Sequence, residues 1–90
     1  MAADGMLNIR TFGKRQVLMN QDDDADNVGV MLSETAFLES MNQEGQRRIL
    51  DYYEPKESFT RKCFPDVEGV CYVISRSGCQ VAFLNDRKLS

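Results

Sequence analysis

The stretch from Gly69 to Asn85 constrains the fold most. It contains Val70 to Ile74, a polar Ser75-Arg76-Ser77-Gly78 segment and then Cys79 to Leu84, so two runs of β-branched, aromatic and aliphatic residues flank a glycine-containing turn. That pattern predicts a β-hairpin. Apolar residues stand at consecutive positions in both arms, which places these strands in the middle of a sheet or under cover on both faces.

The opposite end reads similarly. Leu7, Asn8, Ile9 and Arg10 alternate within residues 6–12, Gly13-Lys14 looks like a turn, and Val17, Leu18 and Met19 lie in a second extended stretch over residues 16–20. Residues 6–20 therefore read as an N-terminal hairpin, with glycine first in the turn as a type II′ turn prefers. Residues 20–27 hold four carboxylates and no apolar side chain larger than alanine. They form a solvated acidic loop. Val28 to Leu32 is a short apolar run, read as one central strand.

From Ser33 onward the signals are those of a helix. Ser33 suits an N-cap, Glu34 suits the positive end of the helix dipole, and Leu32 with Phe37 has the spacing of a hydrophobic staple. Phe37, Met41, Gly45, Ile49 and Tyr53 recur every four residues, which reads as a helical stripe. Glycine is costly inside a helix and favoured just past its end. Two helices, Glu34 to about Glu44 and Gln46 to Tyr53, or one kinked at Gly45, are expected before Pro55. Residues 56–69 mix charges with Phe59, Cys63, Phe64 and Val67 and receive no assignment.

The expected fold class is α+β. A small, mainly antiparallel sheet from the N-terminal and C-terminal hairpins plus the central strand packs one or two central helices on one face. Ninety residues suit one small domain over 1–90, with residues 1–5 and 86–90 as flexible ends. Its core is expected to draw on Ile9, Leu18, Phe37, Met41, Ile49, Tyr72, Val81 and Phe83. A chain this short leaves apolar surface exposed, and a homodimer through a hairpin edge is compatible with that.

Histidine is absent, and with it the commonest general base and a common zinc ligand. The first six residues carry an acid and no lysine or arginine, and no apolar stretch approaches a signal-peptide core or a membrane span. Three cysteines at no repeated spacing argue against a disulfide framework and for a reducing compartment. The reading is cytoplasmic, without a membrane partner.

Three constellations have chemical potential. Asp22, Asp24 and Asp26 alternate like the first ligands of a calcium loop, but Asn27 stands where the glycine belongs and Ser33 where the bidentate glutamate belongs. No metal and no cofactor are expected. Cys63 follows Arg61 and Lys62, neighbours that favour a thiolate, yet no histidine can pair with it. Cys71 sits among apolar residues and reads as core.

Charge placement is more informative than charge total. The chain carries a net charge of −3, but residues 22–57 sum to −7 and the remainder to +4. Asp22, Asp23, Asp24 and Asp26 together with Glu34, Glu39 and Glu44 are expected to form one acidic surface that docks on a basic partner protein. The corresponding function is a small non-catalytic binding protein, an inhibitor or regulator in the style of phage inhibitors, antitoxins or immunity proteins, in which carboxylates can imitate nucleic-acid phosphates. The alternative is a nucleic-acid-binding regulator that uses the basic pairs Arg47-Arg48, Arg61-Lys62 and Arg87-Lys88.

Overall fold

The structure, a computed structural model, describes residues 7–85. Within them lie the strands β1 (Leu7–Phe12), β2 (Val17–Asn20), β3 (Asn27–Ser33), β4 (Ala36–Met41), β5 (Arg47–Tyr53), β6 (Ser58–Thr60), β7 (Val70–Ser75) and β8 (Cys79–Asn85). A single 3₁₀ turn, Arg61–Cys63, follows β6 and is capped by the Thr60 hydroxyl, which accepts from the Lys62 amide. The strands form two four-stranded antiparallel sheets, ordered β1-β8-β3-β6 and β2-β7-β4-β5. No helix among the described residues is long and apolar enough to cross a membrane. The expected flexible ends, 1–5 and 86–90, lie outside the described residues.

This β-sandwich replaces the expected α+β arrangement. Residues 34–53 contain no helix: 34 and 35 connect β3 to β4, and residues 36–53 form the β4–β5 hairpin. The four-residue recurrence has a simple physical origin: four is twice the strand period, so Phe37 and Met41 share a strand face as readily as a helix face. Ser33 is the last residue of β3 rather than an N-cap, and its hydroxyl accepts from the Gln80 amide at 3.1 Å. Glu34 adopts a φ of 63° in the connection between β3 and β4, a left-handed conformation that a helical first turn does not contain.

Both expected hairpins are also corrected. β1 and β2 run consecutively but enter different sheets, as do β7 and β8. β8 pairs with β1 and β3, whereas β7 pairs with β2 and β4. The short turns at residues 13–16 and 76–78 therefore carry the chain across the sandwich. Ser75 stabilises the crossing: its hydroxyl accepts from the Gln16 amide and donates to the Gly13 carbonyl. The central strand expected over 28–32 spans Asn27–Ser33.

The core lies between the sheets. Phe12, Met31, Phe59, Cys79 and Val81 come from one sheet, and Leu18, Met19, Ala36, Leu38, Tyr53, Cys71 and Val73 from the other. Of the expected core, Leu18 and Val81 are buried; Phe37, Tyr72 and Phe83 are half-buried; Ile9, Met41 and Ile49 are exposed. The last three point away from the layer that a second sheet covers. Gly29 is paired with both Phe59 and Phe83, and its missing side chain makes room for the Phe59 ring.

Candidate functional site

A concave site lies where the β4–β5 turn approaches the segment leading into β7. Asn42 shapes the turn. Its Oδ1 accepts from the Glu44 and Gln46 amides at 3.0 and 2.9 Å, and its carbonyl accepts from Gly45, whose φ is 84°. Across from it, Phe64 donates to the Arg61 carbonyl at 3.0 Å, and residues 64–69 then run back to Val70, the register partner of Met41. Gly69, at φ 102°, lies so close to Met41 and Asn42 that an added Cβ would sit 2.1 Å from the Met41 carbonyl oxygen. Only a glycine fits this approach.

Between the turn and this segment is a cavity of about 620 Å³. Ser40, Arg48 and Leu50 line its strand side, with Arg47 at the border; Asn42, Glu44 and Gln46 come from the turn, and Val67 and Glu68 from the segment ahead of Gly69. Ser40 and Arg48 are direct cross-strand partners, so both side chains occupy the same sheet face. The Arg48, Glu68 and Ser40 side chains make no hydrogen bond or ion pair with the described residues. Their bonding capacity remains available to a ligand.

A second polar cluster lies on the outer face of the β2-β7-β4-β5 sheet. Glu39 is only 3% exposed. Tyr72 donates to its Oε2 at 2.6 Å, and Arg15 holds both carboxylate oxygens at 3.4 Å. A buried carboxylate requires such partners, and this one is satisfied. The cluster reads as structural. Burial, followed by the hydrogen bond and charge of Glu39, pushes the Tyr72 hydroxyl up to about 12, against opposition from Arg15 and Arg47. Burial, with smaller contributions from Cys63, Asp51 and Glu57, likewise pushes Tyr53 up to about 12.

These shifts predict alkaline sensitivity. Each folded-state value lies above the ordinary value of 10.0, so the corresponding stabilisation is complete below pH 10 and is lost as pH rises through about 12. The thermal midpoint is expected to fall across that window, and phenolate absorbance from Tyr53 and Tyr72 to appear late in a spectroscopic titration. Ionisation of both at pH 10 in the folded protein would contradict their packing.

The seven expected acidic residues are distributed over several elements. Asp23 accepts from the Asn20 amide and Asp24 from the Asp26 amide, so these carboxylates shape the loop that carries them. Asp26 faces Lys62 at 4.0 Å. Asp22 lies in the same loop, Glu34 receives the Ser77 hydroxyl at 3.4 Å, Glu39 is buried, and Glu44 lies in the β4–β5 turn. No helix unites them. Among the described residues no three His, Cys, Asp or Glu side chains converge as a metal set would.

The basic pairs are likewise separated. Arg47 and Arg48 border the cavity, whereas Arg61 donates to the Gln21 carbonyl at 3.0 Å and Lys62 faces Asp26. Arg87 and Lys88 lie outside the described residues. Cys63 is exposed, while Cys71 and Cys79 are buried and burial raises both thiols. Ser40, Asn42, Gln46, Leu50, Val67 and Glu68 are absent from the sites suggested by sequence. The usable signal for some of them is the Asn42-to-Gly45 turn pattern.

No family model and no curated protein matches the sequence. Solved structures do share the architecture. The sensor domain of the transcriptional regulator DNR from Pseudomonas aeruginosa is similar with a TM-score of 0.75 and 17% identity, over 91% of this chain and 56% of that one. The likeness is one of fold. A regulatory subunit of a cAMP-independent protein kinase A from Trypanosoma brucei, in a mutant form bound to cAMP, gives 0.70 and 13% over 91% of this chain and 30% of its own. The heme domain of CooA from Carboxydothermus hydrogenoformans gives 0.72 and 9% over 94% and 58%. This chain thus spans 30% to 58% of the length of these neighbours. Inhibitor, antitoxin and immunity readings have no counterpart among the three.

Proposed function

We propose that this chain is a regulatory ligand-binding domain and that its effector site is the cavity between the β4–β5 turn and residues 64–69. The carrying observation is the cavity itself: about 620 Å³, bordered by Ser40, Arg48 and Glu68, whose side chains have no partner among the described residues. Leu50 and Val67 add an apolar wall. Polar and charged side chains make up most of the lining, and such groups are what fix a small molecule's orientation and specificity in its site. The sandwich supports the same reading, since structures with this fold include one bound to cAMP and one described as a heme domain.

Nucleic acid enters this reading as a target of a larger regulator, because transcriptional regulators are among the structural neighbours. We assign that contact to neither Arg47-Arg48 nor Arg61-Lys62. Arg61 and Lys62 engage the acidic loop, and Arg47 and Arg48 border the cavity.

Ligand-observed and protein-observed NMR with nucleotides, aromatic carboxylates and amino acids tests the site. At least one compound is expected to shift the Ser40, Arg48 and Val67 resonances. Val67→Trp places bulk at an exposed rim position and is expected to weaken that binding at least roughly tenfold, equivalent to about 1.4 kcal/mol. No binding, or binding that leaves these resonances and the Val67→Trp affinity unchanged, would overturn the assignment.

A further inference from the structure

We infer that the cavity selects a small zwitterion, a molecule of the amino-acid class that carries a carboxylate and an ammonium on a short apolar body. The inference rests on the ligand-binding reading above and concerns what the site accepts. Two cations, Arg47 and Arg48, and two anions, Glu44 and Glu68, border one cavity. Among the described residues, acid and base approach within 4.0 Å only at Arg15–Glu39 and Lys62–Asp26. The four cavity charges are therefore not joined to one another as ion pairs.

The cavity offers groups of both charges, carried by different elements. Arg48 lies opposite Ser40 in the β4–β5 register, so a guanidinium and a hydroxyl on one face can donate together to a carboxylate. Glu68 enters from the other wall, immediately before Gly69, whose close approach to Met41 and Asn42 fixes that segment. Glu44 adds a second carboxylate from the turn. An ammonium group can donate to either. Leu50 and Val67 supply apolar contacts in the same cavity.

Charge rules on single-sign ligands follow. A simple anion gains at Arg48 but meets Glu68 and Glu44, and a simple cation gains at the carboxylates but meets Arg48. A zwitterion finds a partner for each of its charges and adds no net charge. A neutral apolar molecule would desolvate charged groups without replacing their hydrogen bonds with water.

Three matched series test this by NMR titration, with methyl, isobutyl and benzyl bodies, each presented as the L-amino acid, the carboxylate without the amine and the amine without the carboxylate. In at least one series the amino acid is expected to bind roughly tenfold or more tightly than both single-charge analogues. Arg48→Gln should narrow the advantage over the amine, and Glu68→Gln the advantage over the carboxylate. Both side chains are exposed, so folding is expected to survive either change. Equal or tighter binding of the carboxylate in every series, or selectivity unmoved by both variants, would overturn the proposal. If only a nucleotide bound the cavity, the zwitterion would fall and the ligand-binding reading would stand; if neither set bound, both would fall.

Discussion

Phe59→Ala is expected to destabilise the protein by about 3–5 kcal/mol, the usual cost of removing a buried phenylalanine. Phe59 is fully buried, and its ring meets Tyr53 at 5.3 Å and Phe83 at 6.5 Å between ring centroids. It also anchors β6, a strand of three residues that among the described residues pairs only with β3. Small domains have roughly 5–15 kcal/mol of total stability, so the variant should show a large drop in denaturant midpoint or fail to fold at room temperature. Urea unfolding checks this. A loss below about 1 kcal/mol would contradict the burial of the ring.

Gly29 provides the complementary half of that contact. A Cβ at Gly29 would lie 2.5 and 2.6 Å from two atoms of the Phe59 ring. Removing the ring removes that obstacle. Gly29→Ala should therefore cost far less in the Phe59→Ala background than alone, if the double variant retains enough structure to measure; in the milder Phe59→Leu background the same relief should be partial. Non-additivity of this kind is expected for residues in direct contact.

The strand content was legible at both ends of the chain, and its partnering was not. Val70 to Ile74 and Cys79 to Leu84 read as β from composition alone, but composition does not distinguish a hairpin from two strands that separate into facing sheets. That choice is made by long-range pairing: β8 takes β1 and β3 as neighbours, leaving β7 to β2 and β4. The central segment failed differently. Phe37, Met41 and Ile49 recur at a spacing compatible with either element, and what distinguishes the two is the turn chemistry of Asn42 and Gly45, whose bonds close the hairpin. The cavity was illegible because Ser40 and Val67 are unremarkable in sequence and become neighbours only through the fold. Charge had the same ambiguity. Glu39 counted toward an acidic surface, whereas the structure buries it against Tyr72 and Arg15.

Gly69→Ala should separate the role of the cavity wall from the stability of the core. At φ 102° an alanine is strained by about 1–3 kcal/mol before any contact is considered. Its Cβ would also meet the Met41 carbonyl oxygen at 2.1 Å and Asn42 Cα at 2.9 Å, and backbone atoms cannot move aside as a flexible side chain can. The Gly69 segment and the β4–β5 turn must therefore move apart. Amide exchange should quicken at Asn42 and Val70, while Val73 and Val81, fully buried in the core, should lose protection only as global stability falls. Any ligand bridging Arg48 and Glu68 should weaken roughly tenfold or more, because the elements that carry these two residues would no longer be held in register. Gly45→Ala is the control: φ is also positive, at 84°, but nothing lies within 4 Å of the added Cβ. It should carry conformational strain in the turn without pushing the Gly69 segment away from Met41 and Asn42. Equal effects of the two variants on ligand affinity would mean that the close approach at Gly69 does not hold the site together.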